Sequence, residues 1–123
     1  MTQLNTLTRL PSSPLGGERA VSVSAGGGHS LSLTADGSVW SWGRGCFGQL
    51  GQGDGQGQLE PKKIEAITGQ RVVAVSAGEF HSLALTADGA VWSWGERGCL
   101  GHGEDLSNQL LPKKVEVWEA GPQ

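Results

Sequence analysis

A segment of about fifty residues occurs twice in this chain. Residues 21–43 have the sequence VSVSAGGGHSLSLTADGSVWSWG, and residues 73–95 have the sequence VAVSAGEFHSLALTADGAVWSWG. A shorter match follows each copy, with Pro-Lys-Lys and an aliphatic residue at 61–64 and again at 112–115. A match this long at a nearly constant spacing predicts a repeat architecture, in which each unit buries its apolar surface against the next.

Each copy predicts four short strands. Val21, Val23 and Ala25 alternate with serines, which is the two-residue period of a strand. Asp36 and Gly37 lie between two apolar stretches and predict a tight hairpin turn. The predicted strands are 21–25, 31–33, 39–42 and 62–67 in the first copy, and 72–77, 81–86, 90–94 and 113–117 in the second. Four short strands at this period predict an all-β fold of two four-stranded β-propeller blades.

Two motifs carry a resemblance to a known family. Residues 23–33 and 75–85 share the pattern apolar, small, small, Gly, two variable residues, His, small, apolar, and residues 42–54 form a glycine-rich segment. This pattern resembles the repeat of the regulator of chromosome condensation family. The resemblance implies a seven-bladed ring, so we expect the chain to be a fragment of a larger propeller. Between Trp-Gly and Leu-Gly, the second glycine-rich segment, at 94–103, is two residues shorter than the first.

The repeat also predicts the domain organisation. We expect residues 1–20 to be a leader or the degenerate end of a preceding repeat. Residues 21–71 then form the first repeat, residues 72–119 the second, and residues 120–123 a tail.

Composition and charge exclude several classes of protein. The formal net charge of -3 argues against a strong electrostatic grip on nucleic acid. No stretch approaches the roughly 20 apolar residues of a membrane span, and the first residues lack the apolar core of a signal peptide. Two cysteines in such a chain favour a reducing compartment. We therefore expect an intracellular protein, cytoplasmic or nuclear, without membrane contact.

Residues 43–48 match the pattern G-x-G-x-x-G, which in dinucleotide-binding proteins joins a strand to a helix. The residues that follow are rich in Gly and Gln and do not predict a helix. We therefore interpret these glycines as loop residues between blades. His29 and His81 occupy equivalent positions, one in each repeat. A catalytic group is needed once, so we expect both histidines to make structural hydrogen bonds and to contribute similarly to stability.

The remaining candidate groups also favour structural roles. Zinc ligation by Cys46, Cys99, His29, His81 and His102 lacks a known ligand spacing, and a Cys46–Cys99 disulfide has little support. Two tryptophan pairs, each spaced i, i+2 on a strand, are expected to stack between blades: Trp40 with Trp42, and Trp92 with Trp94. Two lysine pairs are expected at solvated strand edges: Lys62 with Lys63, and Lys113 with Lys114.

These observations predict a non-enzymatic protein-interaction scaffold with no catalytic, cofactor-binding or metal-binding residue; the partner-binding residues stay unknown. The expected partner is another protein, with self-association through open blade faces as a further expectation. Family resemblance leaves two alternatives: a fragment of a guanine-nucleotide exchange factor for a small GTPase such as Ran, or of the regulatory propeller of a HECT-type ubiquitin ligase. The first alternative needs an inserted wedge, and the second needs a ligase domain.

Overall fold

A computed structural model describes residues 15–96 and 108–115. These residues form two four-stranded antiparallel sheets, each with its strands in sequence order. The first sheet contains β1 (Ala20–Ala25), β2 (His29–Thr34), β3 (Val39–Gly43) and β4 (Gln58–Lys63). The second contains β5 (Val72–Ala77), β6 (His81–Thr86), β7 (Val91–Gly95) and β8 (Gln109–Lys114). The predicted all-β fold of two four-stranded blades is confirmed.

The predicted hairpin turn between β2 and β3 is held by the Asp36 carboxylate. Thr34 Oγ1 donates a hydrogen bond of 2.7 Å to Asp36 Oδ1, and the Ser38 amide donates one of 3.1 Å. Gly37 takes a positive φ of 86°, which a residue with a side chain adopts only under strain. The Thr34 hydroxyl is the largest reason that the pKa of Asp36 lies below its ordinary value. The second blade repeats this arrangement at Thr86, Asp88 and Ala90.

The predicted positions of the outer strands, 62–67 and 113–117, are wrong. The structure places β4 and β8 several residues earlier, with Pro61 and Pro112 inside the strands. Each outer strand is paired on one side only, so a proline that lacks an N–H group leaves no ladder bond unmade. After β4 the chain forms a short 3-10 helix at Glu65–Ile67. The lysine pairs lie on these outer strands, as predicted.

The two faces of each blade differ, and we name them by their side chains. Cross-strand register and strand alternation give each sheet a leucine face and a tryptophan face. The leucine face carries His29, Leu31, Leu33 and Val39 in the first blade, and His81, Leu83, Leu85 and Val91 in the second. The tryptophan face carries Ser30, Ser32, Trp40 and Trp42 in the first blade, and Ser82, Ala84, Trp92 and Trp94 in the second.

The core lies between the leucine face of the first blade and the tryptophan face of the second. Leu31, Val39 and Trp94 are each 0% exposed and belong to one cluster. Ile64 and Ile67 extend this cluster from the connection after β4. The first blade therefore turns its leucine face toward its neighbour along the chain.

Residues 15–19 make the same two backbone hydrogen bonds as residues 67–71, at the same spacing of 52 residues as the blades. The Glu18 amide bonds the Leu15 carbonyl at 3.1 Å, and the Ala35 amide bonds the Arg19 carbonyl at 2.9 Å. The equivalent bonds in the second copy join Gln70 to Ile67 and Ala87 to Arg71. The repeated structure thus extends upstream of β1. The proposed repeat boundaries stay predictions, because residues 1–14 and 116–123 lie outside the described residues.

Candidate interaction site at the blade junction

The imidazole of His29 lies at the junction between the two blades. His29 opens β2, is 3% exposed, and places its Nε2 atom 2.9 Å from Ser82 Oγ of the second blade. The Ser82 hydroxyl donates its single proton to the carbonyl oxygen of Gln49 at 2.8 Å. Since that proton is already engaged, Ser82 Oγ accepts from His29, and the imidazole carries its proton on Nε2.

This arrangement favours a neutral histidine. Burial is the largest cause that lowers the pKa of His29 below 6.5; a hydrogen bond to the His81 backbone opposes it, and the charge of the nearby His81 lowers it further. The Nδ1 atom is buried without a hydrogen-bond partner. A buried imidazole that donates to a structural hydroxyl is not arranged to take a proton from a substrate.

The expected equivalence of His29 and His81 is wrong. His81 opens β6 on the leucine face of the second blade, which does not face the described junction, and its side chain is half-buried. The described residues give its ring no counterpart of the bond to Ser82. The same motif therefore has different surroundings in the two copies, because only the first histidine has a blade packed over it.

The glycine-rich loop after β3 fills the edge of the junction. Ser41 Oγ donates to the carbonyl of Leu50 at 2.7 Å, and Leu50 is 1% exposed. The Gln49 side chain is also buried, and its Oε1 accepts the Phe47 amide at 2.8 Å. The ring of Phe47 lies 4.9 Å from that of Phe80, in the second blade. The loop therefore joins the two blades as well as connecting two strands.

Close packing explains two of the loop glycines. Gly51 has a φ of 68°, and a Cβ there would lie 2.8 Å from the Trp94 indole nitrogen. Gly48 has a φ of 83°, and a Cβ there would lie 3.0 Å from the carbonyl oxygen of Gln109. Turns follow residues 43–48 in place of the helix that a dinucleotide site requires. These residues are loop glycines at a blade junction, as the sequence predicted.

The tryptophan pairs occupy two different environments. Trp92 and Trp94 face the first blade, and Trp94 is fully buried there. Trp40 and Trp42 lie on the opposite side of the first blade and are half-buried. The predicted stacking between blades is thus confirmed for the second pair, whereas the first pair lies on a face without a described blade beside it.

The remaining candidate residues do not form a site within the described ranges. Cys46 is exposed with a free thiol, while Cys99 and His102 lie outside the described residues. Among residues 15–96 and 108–115, no three His, Cys, Asp or Glu side chains are grouped to hold a metal ion. The same part of the chain contains no helix long and apolar enough to cross a membrane.

Sequence reasoning missed the polar chain through the junction. Gln49 lies in a glycine-rich stretch that predicts an exposed loop, yet it is 0% exposed. Ser82 follows the histidine of the second repeat, just as Ser30 follows His29, and this shared His-Ser pair was the available signal. Its meaning depends on the partner blade, because His29 of one repeat bonds the serine of the other.

Matches to family models classify the chain. A model described as "Regulator of chromosome condensation (RCC1) repeat" matches residues 36–85 and 88–120, and a second model of the same description matches residues 20–49 and 72–99. The chain belongs to the RCC1 repeat family. Its two sheets are RCC1-type propeller blades, and the His-Ser junction joins consecutive blades.

Several RCC1-repeat proteins are similar in sequence. The chain is 44% identical over 110 residues to the ultraviolet-B receptor UVR8 of Arabidopsis thaliana, covering 88% of this chain and 25% of the relative. It is 47% identical over 106 residues to the E3 ubiquitin-protein ligase HERC2 of Homo sapiens, covering 83% of this chain and 2% of the relative. The chain therefore spans a quarter or less of the length of these relatives.

Solved structures confirm the fold. Human WBSCR16 matches with a TM-score of 0.77 and 30% identity, over 85% of this chain and 27% of that structure. Prp20p of Saccharomyces cerevisiae, whose structure was reported with its binding properties to Gsp1p and histones, matches with a TM-score of 0.71 and 25% identity. That match covers 85% of this chain and 27% of Prp20p.

The buried His29 predicts a loss of stability in mild acid. The folded state lowers the pKa of this group, so the unfolded chain binds more protons between the two pKa values. Stability is complete above the unfolded pKa of about 6.5 and falls as the pH drops toward the folded value. We expect the difference in unfolding free energy between wild type and His29→Gln to shrink between pH 8 and pH 5, as measured by urea denaturation.

The matched control is His81→Gln, which changes the equivalent residue of the other repeat. Its loss of unfolding free energy is expected to be smaller than that of His29→Gln, because only His29 has a buried hydrogen bond across the junction. A constant difference for His29→Gln would contradict a neutral, buried His29. The carboxyl groups of Asp36 and Asp88 also have lowered pKa values, so their contribution is lost only in stronger acid.

Proposed function

We propose that this chain is a non-catalytic protein-interaction segment of an RCC1-type propeller. The observation that carries the proposal is the chemistry of the junction, where the polar groups that sequence patterns single out serve blade packing. His29 is buried as a hydrogen-bond donor to Ser82, and the residues of the G-x-G-x-x-G stretch lie in a packed loop. An active site places its perturbed groups in an open pocket, whereas the imidazole of His29 is buried out of reach of a substrate.

A fixed loop at the rim of the junction is the proposed contact surface. Gln52 Nε2 donates to the carbonyl of Lys62 at 3.0 Å, and the Gly53 amide donates to the carbonyl of Leu110 at 3.0 Å. These bonds hold the start of the loop against the outer strands of both blades. Residues 53–57 beyond them are exposed, with Asp54 Oδ1 accepting the Gln56 amide at 3.1 Å. A loop held in one conformation loses little entropy on binding.

The partner that fits this surface is a protein. The net charge of -3 and the exposed Asp54 at the rim disfavour a polyanion such as nucleic acid. The similarity to Prp20p, with its reported binding to Gsp1p and histones, supports protein partners for this type of propeller. We propose a location inside the cell, in the cytoplasm or the nucleus.

The second candidate function is a contribution to guanine-nucleotide exchange, which the resemblance to the regulator of chromosome condensation family implies. Exchange needs a broad and rigid surface, and a standard specific interface buries about 800 Å² on each partner. Two blades supply a minor part of such a ring face. The alternative of a ligase propeller is favoured by the similarity to HERC2, and there too the described blades would serve for binding.

Photo-crosslinking tests the proposed contact surface. We expect a benzoylphenylalanine residue at position 56, on the exposed rim, to form an adduct with a discrete protein in cells of the source organism. The matched control is position 70, another exposed glutamine at the opposite end of the sheets, which is expected to form no such adduct. The captured protein, once purified, should bind the chain and lose at least about tenfold in affinity on Asp54→Arg, or about 1.4 kcal/mol. Equal labelling from both positions, or none from position 56, would contradict this surface.

A nucleotide-release assay separates the two candidate functions. We expect this chain to cause no measurable acceleration of fluorescent guanine-nucleotide release from Ran, because two blades offer too little surface to offset the loss of nucleotide contacts. A complete exchange factor for Ran serves as the positive control. A tenfold acceleration, worth about 1.4 kcal/mol at the barrier, would favour the exchange function instead.

A further inference from the structure

Two surfaces that are buried at the junction recur uncovered on the outer sides of the pair. On the leucine face, Leu33 of the first blade is 4% exposed, whereas its counterpart Leu85 in the second blade is 39% exposed. On the tryptophan face, Trp94 of the second blade is 0% exposed, whereas its counterpart Trp42 is half-buried. The chain thus presents one half of the junction at each of its two outer sides.

The first strands of the two blades, β1 and β5, show the same difference in burial. Val75 on β5 packs against the core cluster, while its counterpart Val23 on β1 is 69% exposed. Both valines lie on the tryptophan face, because Val75 pairs with Ala84 and Val23 pairs with Ser32. The uncovered tryptophan face of the first blade therefore includes apolar surface from β1 as well as the two indoles.

Polar groups are also available for the same bonds. Within the junction, His29 pairs with Ser82, and the Ala77 amide donates to Ser24 Oγ at 3.0 Å. The counterparts of His29 and Ser24 on the outer leucine face are His81 and Ser76, respectively. The counterparts of Ser82 and Ala77 on the outer tryptophan face are Ser30 and Ala25, respectively. Each outer side thus has the partners that the other one needs.

We infer that the leucine face of the second blade docks on the tryptophan face of the first blade of a second copy of this chain. The contact is head to tail: His81 of one copy bonds Ser30 of the next, and Ser76 accepts the Ala25 amide of the next. The occupant is a second copy because the junction within the chain already shows how these two faces fit. A heterologous contact of this kind closes into a ring or extends as a filament, depending on its rotation angle.

Residues 15–19 lie beside the docking face. Gly16 contacts the Trp40 ring, 52 residues before Thr68. Ile67, next to Thr68 in the chain, belongs to the core cluster of the existing junction. Residues 15–19 therefore border the docking face as residues 67–71 border the existing one.

Two sequence differences between the repeats make the contact between copies weaker than the junction within the chain. Glu79 occupies the position of Gly27, where a Cβ would lie 2.9 Å from the facing carbonyl oxygen and requires a backbone shift. Gly28 occupies the position of Phe80, so the ring contact with Phe47 has no counterpart. Two separate chains also lose translational and rotational freedom on association. We therefore expect reversible, concentration-dependent association.

Two charge substitutions, each blocking one face, test the contact and its polarity. Leu85→Glu blocks the leucine face and Val23→Glu the tryptophan face, and both positions are exposed in the single chain. Sedimentation velocity across the micromolar range should show wild type associating and each variant alone as a monomer. An equimolar mixture should form a heterodimer, because each variant keeps the face that the other one lacks.

The control is Gln70→Glu, an exposed residue in the connection between the two blades and on neither outer face, and it should associate like wild type. Circular dichroism establishes that each variant is folded, and an unfolded variant is replaced by Leu85→Lys or Val23→Lys. The inference is overturned if wild type stays monomeric across the micromolar range. It is also overturned if one variant alone still dimerises, since the contact would then join like faces, or if the mixture stays monomeric.

Discussion

The structure depends on the packing of one blade against the next. A four-stranded sheet by itself leaves both faces in water, and each blade here is stabilised by covering one apolar face with its neighbour. Leu31, Val39 and Trp94 are fully buried at this contact. Burial of an aliphatic side chain of this size contributes about 1.5–3 kcal/mol, so a few such residues account for a large share of the stability of a small domain.

The polar chain from His29 through Ser82 to Gln49 sets how the two blades align. A buried polar group must find a partner, and Ser82 finds two, one as acceptor and one as donor. A shift of one residue in either strand would move these groups to the opposite face of the sheet. The apolar contact thus provides most of the stabilisation, while the polar chain selects one register. The proposed rim loop depends on both, since it begins at the same junction.

The sequence predicted what depends on short-range pattern. The repeat, the Asp36 hairpin turn, the inner strands and the stacking of Trp94 all follow from spacing and turn chemistry within one copy. The outer strands differ from the prediction because the predicted strand begins after Pro61, whereas an unpaired strand edge accepts proline. The burial of Gln49 was missed because a glycine-rich stretch does not reveal that a second blade covers it.

The neighbouring blade, which the sequence of one repeat does not reveal, also explains why the two histidines differ in burial. Sequence equivalence predicts similar roles for His29 and His81, but burial is decided by which face of a blade has a neighbour. A repeat motif therefore specifies the blade, and its stacking specifies the contribution of each residue. The candidate site at the junction could be assembled only when both copies were placed together.

The central role of the blade junction is tested most directly by comparing His29→Ala with His81→Ala in urea denaturation of the Leu85→Glu variant, which is expected to be monomeric. If the blade junction determines stability, His29→Ala should lower the unfolding free energy by about 1–3 kcal/mol more than His81→Ala, because only His29 has a buried hydrogen bond across the junction. Equal losses for the two substitutions would show that the motif acts within each blade, and would contradict the central role assigned to the junction.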